Sequence, residues 1–239
     1  MSDQNQQSSS VQTQVEIFKD NWEMAKVALK LKIYFAEKGW VSVDIQKVEK
    51  GYYDQDLSWR MRRLGAPSEA YLCKSMIMEN TGFKQEFESK YYQRFYCVII
   101  QYVTKMNSDK LLKAARAIQN NNCEEKVGKS GYNLRLLNEE ESNQMTGYGY
   151  NGVTPFLFNQ KMPILISDKL GNLNPKFFFL GGGHADLKLR KLKLIKNISY
   201  QNLFIQKGVS FDEFINKHEY DVYPCDLSDT DKNWKHLQD

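Results

Sequence analysis

The most informative stretch of the sequence is Leu180-Gly181-Gly182-Gly183-His184-Ala185-Asp186-Leu187-Lys188, which directly follows the aromatic run Phe177-Phe178-Phe179. Three consecutive glycines after a strand-like run predict a tight turn whose backbone can approach a ligand closely. Bare backbone N–H groups in such a turn could stabilise an oxyanion or hold a carboxylate or phosphate. The alternative is a flexible turn without a ligand. His184 could act as a general base, although a lone histidine is more often structural.

A second glycine-rich segment precedes it: Thr146-Gly147-Tyr148-Gly149-Tyr150-Asn151-Gly152-Val153-Thr154-Pro155-Phe156. Its glycines allow a tight turn, and Pro155 fixes the exit of the chain. We expect a strand from residue 153 to residue 158. The segment could line a binding site, and an ordinary hairpin loop is an equally good interpretation.

A third segment, Cys73-Lys74-Ser75-Met76, places a lysine inside an apolar run of strand length. A lysine that points into a pocket could hold a phosphate or a carbonyl oxygen as a point charge. Taken alone, the local pattern favours an outward-facing lysine on a half-exposed strand, because lone lysines are mostly exposed.

In this order, the three segments resemble the YbaK family, which includes bacterial Cys-tRNA(Pro) deacylase, the trans-acting Ala-tRNA(Pro) editing protein and the insertion domain of bacterial prolyl-tRNA synthetase. The similarity rests on Lys74-Ser75, on Thr146-Gly147 with residues 151–155, and on residues 181–184 with Lys188. It spans roughly residues 57–194. Residues 64–75 also resemble a eukaryotic branch of uncharacterised proteins with this domain.

The resemblance implies an α+β fold, with a mixed barrel-like sheet flanked by helices and an N-terminal helical extension. It implies hydrolysis of the ester of mischarged tRNA in trans, without a cofactor or a metal. Catalysis would depend on Lys74, Gly182 and Gly183, with Lys74 holding the 3′-terminal adenosine or its phosphate. The substrate contacts implied are Ser75, Asn151, Gly152, Val153, Thr154, Pro155, Gly181, His184 and Lys188.

Three residues depart from the family pattern at the expected mouth of the pocket. Asn151 replaces a glycine, Thr154 replaces a serine, and Leu157 stands where a small residue is common. Each adds bulk, so the substrate could differ or activity could be lost. The second hypothesis is therefore a catalytically silent domain that serves as a binding or structural module in a larger eukaryotic assembly.

The charge pattern is compatible with tRNA as a partner. The chain carries a formal net charge of +4, which suits an anionic partner without requiring one. Its basic clusters are Arg60, Arg62 and Arg63, and then Arg190, Lys191 and Lys193. Because phosphate neutralisation releases counterions, we expect tRNA binding to weaken as salt rises. Two solvated basic faces are the alternative.

The chain divides into four segments. We expect a disordered tail at residues 1–12, an N-terminal helix with a connecting extension at 13–56, the editing-type domain at 57–223, and a polar tail at 224–239. The helix should pack on the domain, or, as an alternative, bind a partner complex. Its apolar stripe is predicted to be Val15, Phe18, Trp22, Ala25, Leu29, Ile33 and Ala36.

Several function classes find no support in the sequence. The four cysteines have neither zinc-knuckle nor redox-dithiol spacing, so we expect reduced thiols and a cytoplasmic location. No apolar run approaches the roughly 18 residues of a membrane helix. Metal-binding motifs of the HExxH type are also missing from the sequence.

Overall fold

The computed structural model describes residues 22–40, 43–191 and 209–230. These residues form a mixed α+β fold with five helices and twelve short strands. The helices are α1 (Trp22–Glu37), α2 (Leu57–Leu64), α3 (Ser108–Asn122), α4 (Glu139–Thr146) and α5 (Phe211–Lys217). The strands are β1 (Val43–Lys47), β2 (Cys73–Asn80), β3 (Phe95–Gln101), β4 (Thr104–Met106), β5 (Leu134–Leu136), β6 (Ile164–Ser167), β7 (Phe177–Phe178), β8 (Leu180–Gly181), β9 (Leu187–Lys191), β10 (Val209–Ser210), β11 (Val222–Cys225) and β12 (Ser228–Thr230).

A five-stranded sheet forms the centre, in the order β11-β6-β3-β2-β5. Strands β2 and β3 pair antiparallel, whereas β6 runs parallel to both β3 and β11. Strand β3 carries the run Val98-Ile99-Ile100, and all three side chains are buried. A continuous β-branched run is typical of a strand that is covered on both faces, which explains its central place.

A second sheet, in the order β1-β9-β8, continues from the edge of the first. The two sheets are joined where Leu72 pairs with Phe179. Around that pair, the Cys73 N–H donates to the Phe179 carbonyl at 3.0 Å and the Phe179 N–H donates to the Tyr71 carbonyl at 2.9 Å. The strands therefore curve into the barrel-like arrangement that the sequence predicted.

The central sheet separates two apolar cores. Ile77, Ile99 and Ile166 face the larger core, which also contains α1, α5 and the second sheet. Val98 and Leu165 face the smaller core beneath α3. Helix α1 and strand β1 thus belong to the same core as the rest of the fold. None of the helices in the described ranges is long and apolar enough to cross a membrane.

Helix α1 packs on the domain as expected, but the predicted face is wrong. Trp22, Leu29 and Ile33 are exposed by 71%, 60% and 49%. The buried side chains are Met24, Ala28, Leu31, Tyr34 and Phe35. Both sets of residues have helical spacing. The second set faces the core because its two adjacent aromatic residues, Tyr34 and Phe35, bury more apolar area at the C-terminal end of the helix. Val15, Phe18 and the expected start of the helix lie outside the described residues.

Two other predictions are corrected by the structure. Residues 153–158 do not form a strand, because Pro155 has no N–H to donate and Leu157 has a left-handed backbone with φ 56°. The polar C-terminal tail was expected from residue 224, yet β11 pairs with β6 and β12 pairs with β4. Leu227 between these strands is fully buried. Residues 1–12 and 231–239 lie outside the described ranges.

Side-chain caps are present at the start of helices α4 and α5. The Asn138 side chain accepts from the Glu141 N–H, and Glu141 returns the bond in a capping box. Ser210 caps α5 by accepting from the Glu213 N–H. Helix α3 is capped by Asn107, whose side chain accepts from the Lys110 N–H.

We predict that Phe156→Ala lowers the free energy of unfolding by about 3–5 kcal/mol. Phe156 is fully buried, and its ring centroid lies 5.0 Å from that of Phe35 and 5.2 Å from that of Trp40. Urea denaturation followed by fluorescence measures the change. Leu136→Ala is the control, since Leu136 is 54% exposed. Equal effects of the two substitutions would contradict this packing.

Candidate functional site

A small cavity lies where the second sheet meets the segment before β2. The cavity volume is about 10 Å³, which is room for about one water molecule. Strands β8 and β9 supply one wall, and the turn at Tyr52–Asp54 together with α2 supplies the other. Its polar lining comes from Tyr52, Tyr53, Tyr102, Cys73 and Lys188, with the backbone of Gly181 beside them.

Lys188 is the buried cation of this cavity. It sits on β9 between Leu187 and Leu189 and is only 3% exposed. Its Nζ donates to the Tyr53 hydroxyl at 2.9 Å and to the Ala185 carbonyl at 2.8 Å. Burial lowers the pKa of Lys188 to about 7, with nearby Arg60 lowering it further and Asp186 opposing the shift. Near neutral pH this amine can therefore accept or release a proton.

Tyr53 connects Lys188 to the glycine-rich loop. Its hydroxyl accepts from Lys188 and donates to the Asn151 carbonyl at 3.0 Å. The Lys188 Nζ also lies 4.2 Å from the centre of the Tyr53 ring and 4.8 Å from that of Tyr52. Burial raises the pKa of Tyr53 well above its ordinary value. The phenol consequently stays protonated and keeps its donor function.

Arg60 adds a second positive charge beside the same tyrosines. Its guanidinium carbon lies 4.9 Å from the centre of the Tyr102 ring and 5.7 Å from that of Tyr53. The Arg60 Nε is buried and has no hydrogen-bond partner among the described residues. A buried cationic donor without a partner is available to an anionic ligand.

Lys74 approaches this cluster only through Tyr102. Its Nζ lies 5.7 Å from the centre of that ring, and partial burial lowers its pKa. Strand alternation turns Lys74 to the side of Met76 and Met78, away from Cys73, which lines the cavity. The hydroxyl of Ser75 is buried without a hydrogen-bond partner in the described part of the chain. A pocket shared by Lys74 and the glycine run stays a prediction.

The glycine run differs from our expectation of bare N–H donors. The Gly182 N–H donates to the Leu187 carbonyl, and the Gly183 N–H donates to the Gly152 carbonyl, both at 2.9 Å. Glycine is required here because a Cβ atom would clash with neighbouring atoms. A Cβ on Gly181 would lie 2.5 Å from the Val153 carbonyl oxygen, and one on Gly182 would lie 2.8 Å from the Leu187 carbonyl carbon. The run therefore packs backbone against backbone.

His184 lies in the turn that follows the glycine run. Its Nδ1 accepts from the Asp186 N–H at 3.1 Å, and its carbonyl accepts from the Leu187 N–H. The imidazole thus stabilises the β8–β9 turn. It does not line the cavity.

The glycine-rich loop contacts Tyr53, a residue of the cavity lining, through its backbone. Asn151 has a left-handed φ of 58° and contributes its carbonyl, which binds Tyr53. Thr154 and Pro155 are buried, and the Thr154 hydroxyl has no partner among the described residues. The Pro155 carbonyl accepts from His218 Nε2 at 2.7 Å. Burial lowers the pKa of His218 to about 4, so this histidine is neutral and structural.

The two predicted basic clusters are largely engaged within the protein. Arg63 pairs with Glu49 at 2.7 Å, and Arg190 pairs with Asp44 at 2.9 Å. Arg60 turns toward the tyrosines, while the exposed Arg62 donates to the Ser58 hydroxyl. The side chain of Lys191 and all of Lys193 lie outside the described part.

Sequence reasoning missed the three tyrosines that line the cavity. Tyr52 and Tyr53 stand in a short turn before α2, and Tyr102 stands in the turn after β3. Adjacent aromatic residues close to Arg60 were the available signal, since arginine often stacks on aromatic rings.

Comparison with known proteins identifies the fold but no close relative. No family model and no curated protein matches the sequence. A candidate trans-editing enzyme for prolyl tRNA synthetase matches in structure with a TM-score of 0.58 and 13% identity, covering 85% of this chain and 97% of that chain. A hypothetical protein matches with a TM-score of 0.55 and 17% identity, covering 84% and 99%. A scaffold protein from computational epitope grafting matches at 0.57 and 12%, covering 85% and 97%. The chain therefore has the fold of YbaK-like editing domains.

We predict that replacing Lys188 changes the pH dependence of stability. In the unfolded chain lysine keeps its proton up to its ordinary value of 10.5, whereas folded Lys188 loses it near 7. The unfolded state thus binds more protons across this window, so raising the pH stabilises the wild type. Relative to Lys188→Met, the wild type should gain stability between about pH 7 and pH 9 in urea titrations. A difference that stays constant over that range would contradict the buried-lysine assignment.

We also predict that Gly183→Ala destabilises the fold by about 1–3 kcal/mol, the usual cost of a strained backbone position. Gly183 has φ +86°, and an added Cβ would lie 2.4 Å from Val27 Cγ1. Gly149→Ala is the control in the neighbouring loop, because an added Cβ there meets no atom within 4 Å. Thermal melts of both variants measure the effect. A Gly183→Ala variant as stable as Gly149→Ala would show that the close approach is dispensable.

Proposed function

We propose that this protein hydrolyses the aminoacyl ester of mischarged tRNA. The observation that carries the proposal is the buried Lys188 amine, with a pKa of about 7, bonded to Tyr53 beside Gly181. This arrangement occurs in a fold shared with a candidate trans-editing enzyme for prolyl tRNA synthetase. A protein with this role would act in the cytoplasm with tRNA as its partner.

The polar groups of the cavity suit ester hydrolysis by water. The neutral Lys188 amine would take a proton from a water molecule, and the resulting hydroxide would attack the ester carbonyl carbon. The C–O bond to the ribose would break, and the ribose oxygen would recover a proton from the Lys188 ammonium. The Tyr53 hydroxyl would donate to the carbonyl oxygen as negative charge develops there.

The remaining predicted residues would position the substrate. Arg60 and Lys74 flank Tyr102 and could hold the terminal phosphate of the tRNA by charge. Gly182 and Gly183 would shape the wall beside the ester, since their N–H groups already bind within the protein.

Substrate entry requires the cavity to open. Space for one water cannot accommodate an aminoacyl group. The turn that carries Tyr53 is held to the loop by one hydrogen bond to the Asn151 carbonyl, so it is the element that would move. Displacement of the Tyr53 ring would expose Lys188 and Gly181 together.

A catalytically silent module is the second candidate, and specific observations favour it. The cavity is small, at about 10 Å³, and two of the three glycine N–H groups are engaged. Helix α1 in addition exposes Trp22, Leu29 and Ile33 along one side. Under this hypothesis the protein would bind a larger assembly through α1.

A deacylation assay against a panel of mischarged tRNAs tests the proposal. We predict that Lys188→Met lowers the hydrolysis rate by about 100-fold or more, the usual contribution of a general base. Lys161→Met is the control, because Lys161 is exposed. Circular dichroism of both variants would verify that the fold is retained.

The assay also separates the two candidate functions. Wild-type protein that hydrolyses no member of the panel would exclude the enzyme and leave the silent module. Activity that survives Lys188→Met unchanged would refute the mechanism.

A further inference from the structure

A second and larger cavity lies on the other side of the central sheet, against α3. Its volume is about 140 Å³, and it is lined by Asp109, Leu112, Lys113, Arg116, Lys129 and Tyr132. Four of these residues follow the i, i+3, i+4, i+7 spacing of one helix face. Lys129 and Tyr132 approach from the turn that precedes β5. None of them contributes to the site around Lys188.

The lining of this cavity is positively charged, and the described residues do not neutralise that charge. Within residues 22–40, 43–191 and 209–230, the side chains of Lys113, Arg116 and Lys129 form no ion pair or hydrogen bond. The cavity lining contains three cationic side chains and one carboxylate, that of Asp109. Like charges on adjacent turns destabilise a helix unless an anion compensates them.

Tyr132 supplies a buried donor in the same cavity. It is 6% exposed, and its hydroxyl has no hydrogen-bond partner among the described residues. An unpaired buried hydroxyl is costly, so a ligand that accepts its hydrogen bond is favoured. Burial raises the pKa of Tyr132, which keeps the phenol protonated as a donor.

We propose that this cavity binds a phosphate group through Arg116, Lys113, Lys129 and the Tyr132 hydroxyl. Arginine presents a planar fork that matches two phosphate oxygens, and the lysines add point charges around them. A phosphate offers enough acceptor oxygens for all four groups. The volume leaves room for the phosphate and some attached water, given about 30 Å³ per water molecule in the liquid.

The phosphate has two potential sources with the same chemistry: the free ion or a nucleotide, and the backbone of a bound RNA. The inference is independent of the proposed hydrolysis, because its residues lie against the smaller core and Lys188 lies against the larger one. A failure of either proposal leaves the other intact.

Calorimetric titration of the full chain with inorganic phosphate, at low salt and pH 7, tests the site. Arg116→Gln and Lys129→Gln should each weaken binding about tenfold or more, as expected for a lost charged hydrogen bond. Lys105→Gln and Lys161→Gln are the charge-matched controls, since both residues are exposed and outside the cavity. Both controls should bind phosphate like the wild type.

Tyr132→Phe provides a variant that removes only the hydroxyl. It should weaken phosphate binding while raising the melting temperature of the free protein, because an unpaired buried group is removed. A fluorescence anisotropy titration with a labelled single-stranded RNA identifies the source of the phosphate. If Arg116→Gln loses RNA binding while the control variants keep it, the bound phosphate belongs to an RNA backbone. Phosphate binding without a matching RNA effect assigns the free ion or nucleotide.

Three results would overturn the proposal. The first is a wild type that binds neither probe. The second is an affinity that Arg116→Gln and Lys129→Gln leave unchanged. The third is an equal loss in Lys105→Gln and Lys161→Gln, which would show dependence on net charge alone.

Discussion

The rest of the site depends on the close approach of two glycine-bearing segments. The Gly183 N–H binds the Gly152 carbonyl, and a Cβ on Gly152 would lie 3.2 Å from the Gly183 oxygen. Through this contact, the loop that follows α4 packs against the hairpin of β8 and β9. The Asn151 carbonyl is thereby presented to Tyr53, and Tyr53 in turn meets Lys188. One steric constraint between backbones thus places a carbonyl, a phenol and an amine together.

Local signals in the sequence predicted much of the fold. The Asn138 and Ser210 caps and the β-branched run of β3 depend on neighbouring residues alone. Helix α1 was oriented wrongly because two apolar stripes share one helix and only the packed domain selects between them. Residues 153–158 were misassigned because an apolar run does not reveal the left-handed backbone at Leu157.

The residues that line the cavity come from both near and distant parts of the sequence. Gly181 and Lys188 are close in sequence and do line the cavity. Tyr53 stands 135 residues before Lys188, so no short-range pattern connects them. The resemblance to known editing domains supplied residues on the strands but not the turn at residues 52–54, which closes the cavity. The glycine run was expected to offer bare N–H donors, whereas in the structure Gly182 and Gly183 donate within the protein and the run packs against neighbouring backbone.

The position of Lys188 bears on which of the two functions is correct. Removing an amine from water is expensive, and the Tyr53 hydroxyl, the Ala185 carbonyl and two aromatic faces offset only part of the cost. The part of this desolvation cost that is not offset lowers the pKa of Lys188 to about 7. A module that needed only to fold would be at least as stable with an apolar side chain of similar volume at this position. Strongly shifted groups of this kind are concentrated at sites of proton transfer. Because the desolvation cost of Lys188 is only partly offset, we favour a chemical role for the cavity over a purely structural one.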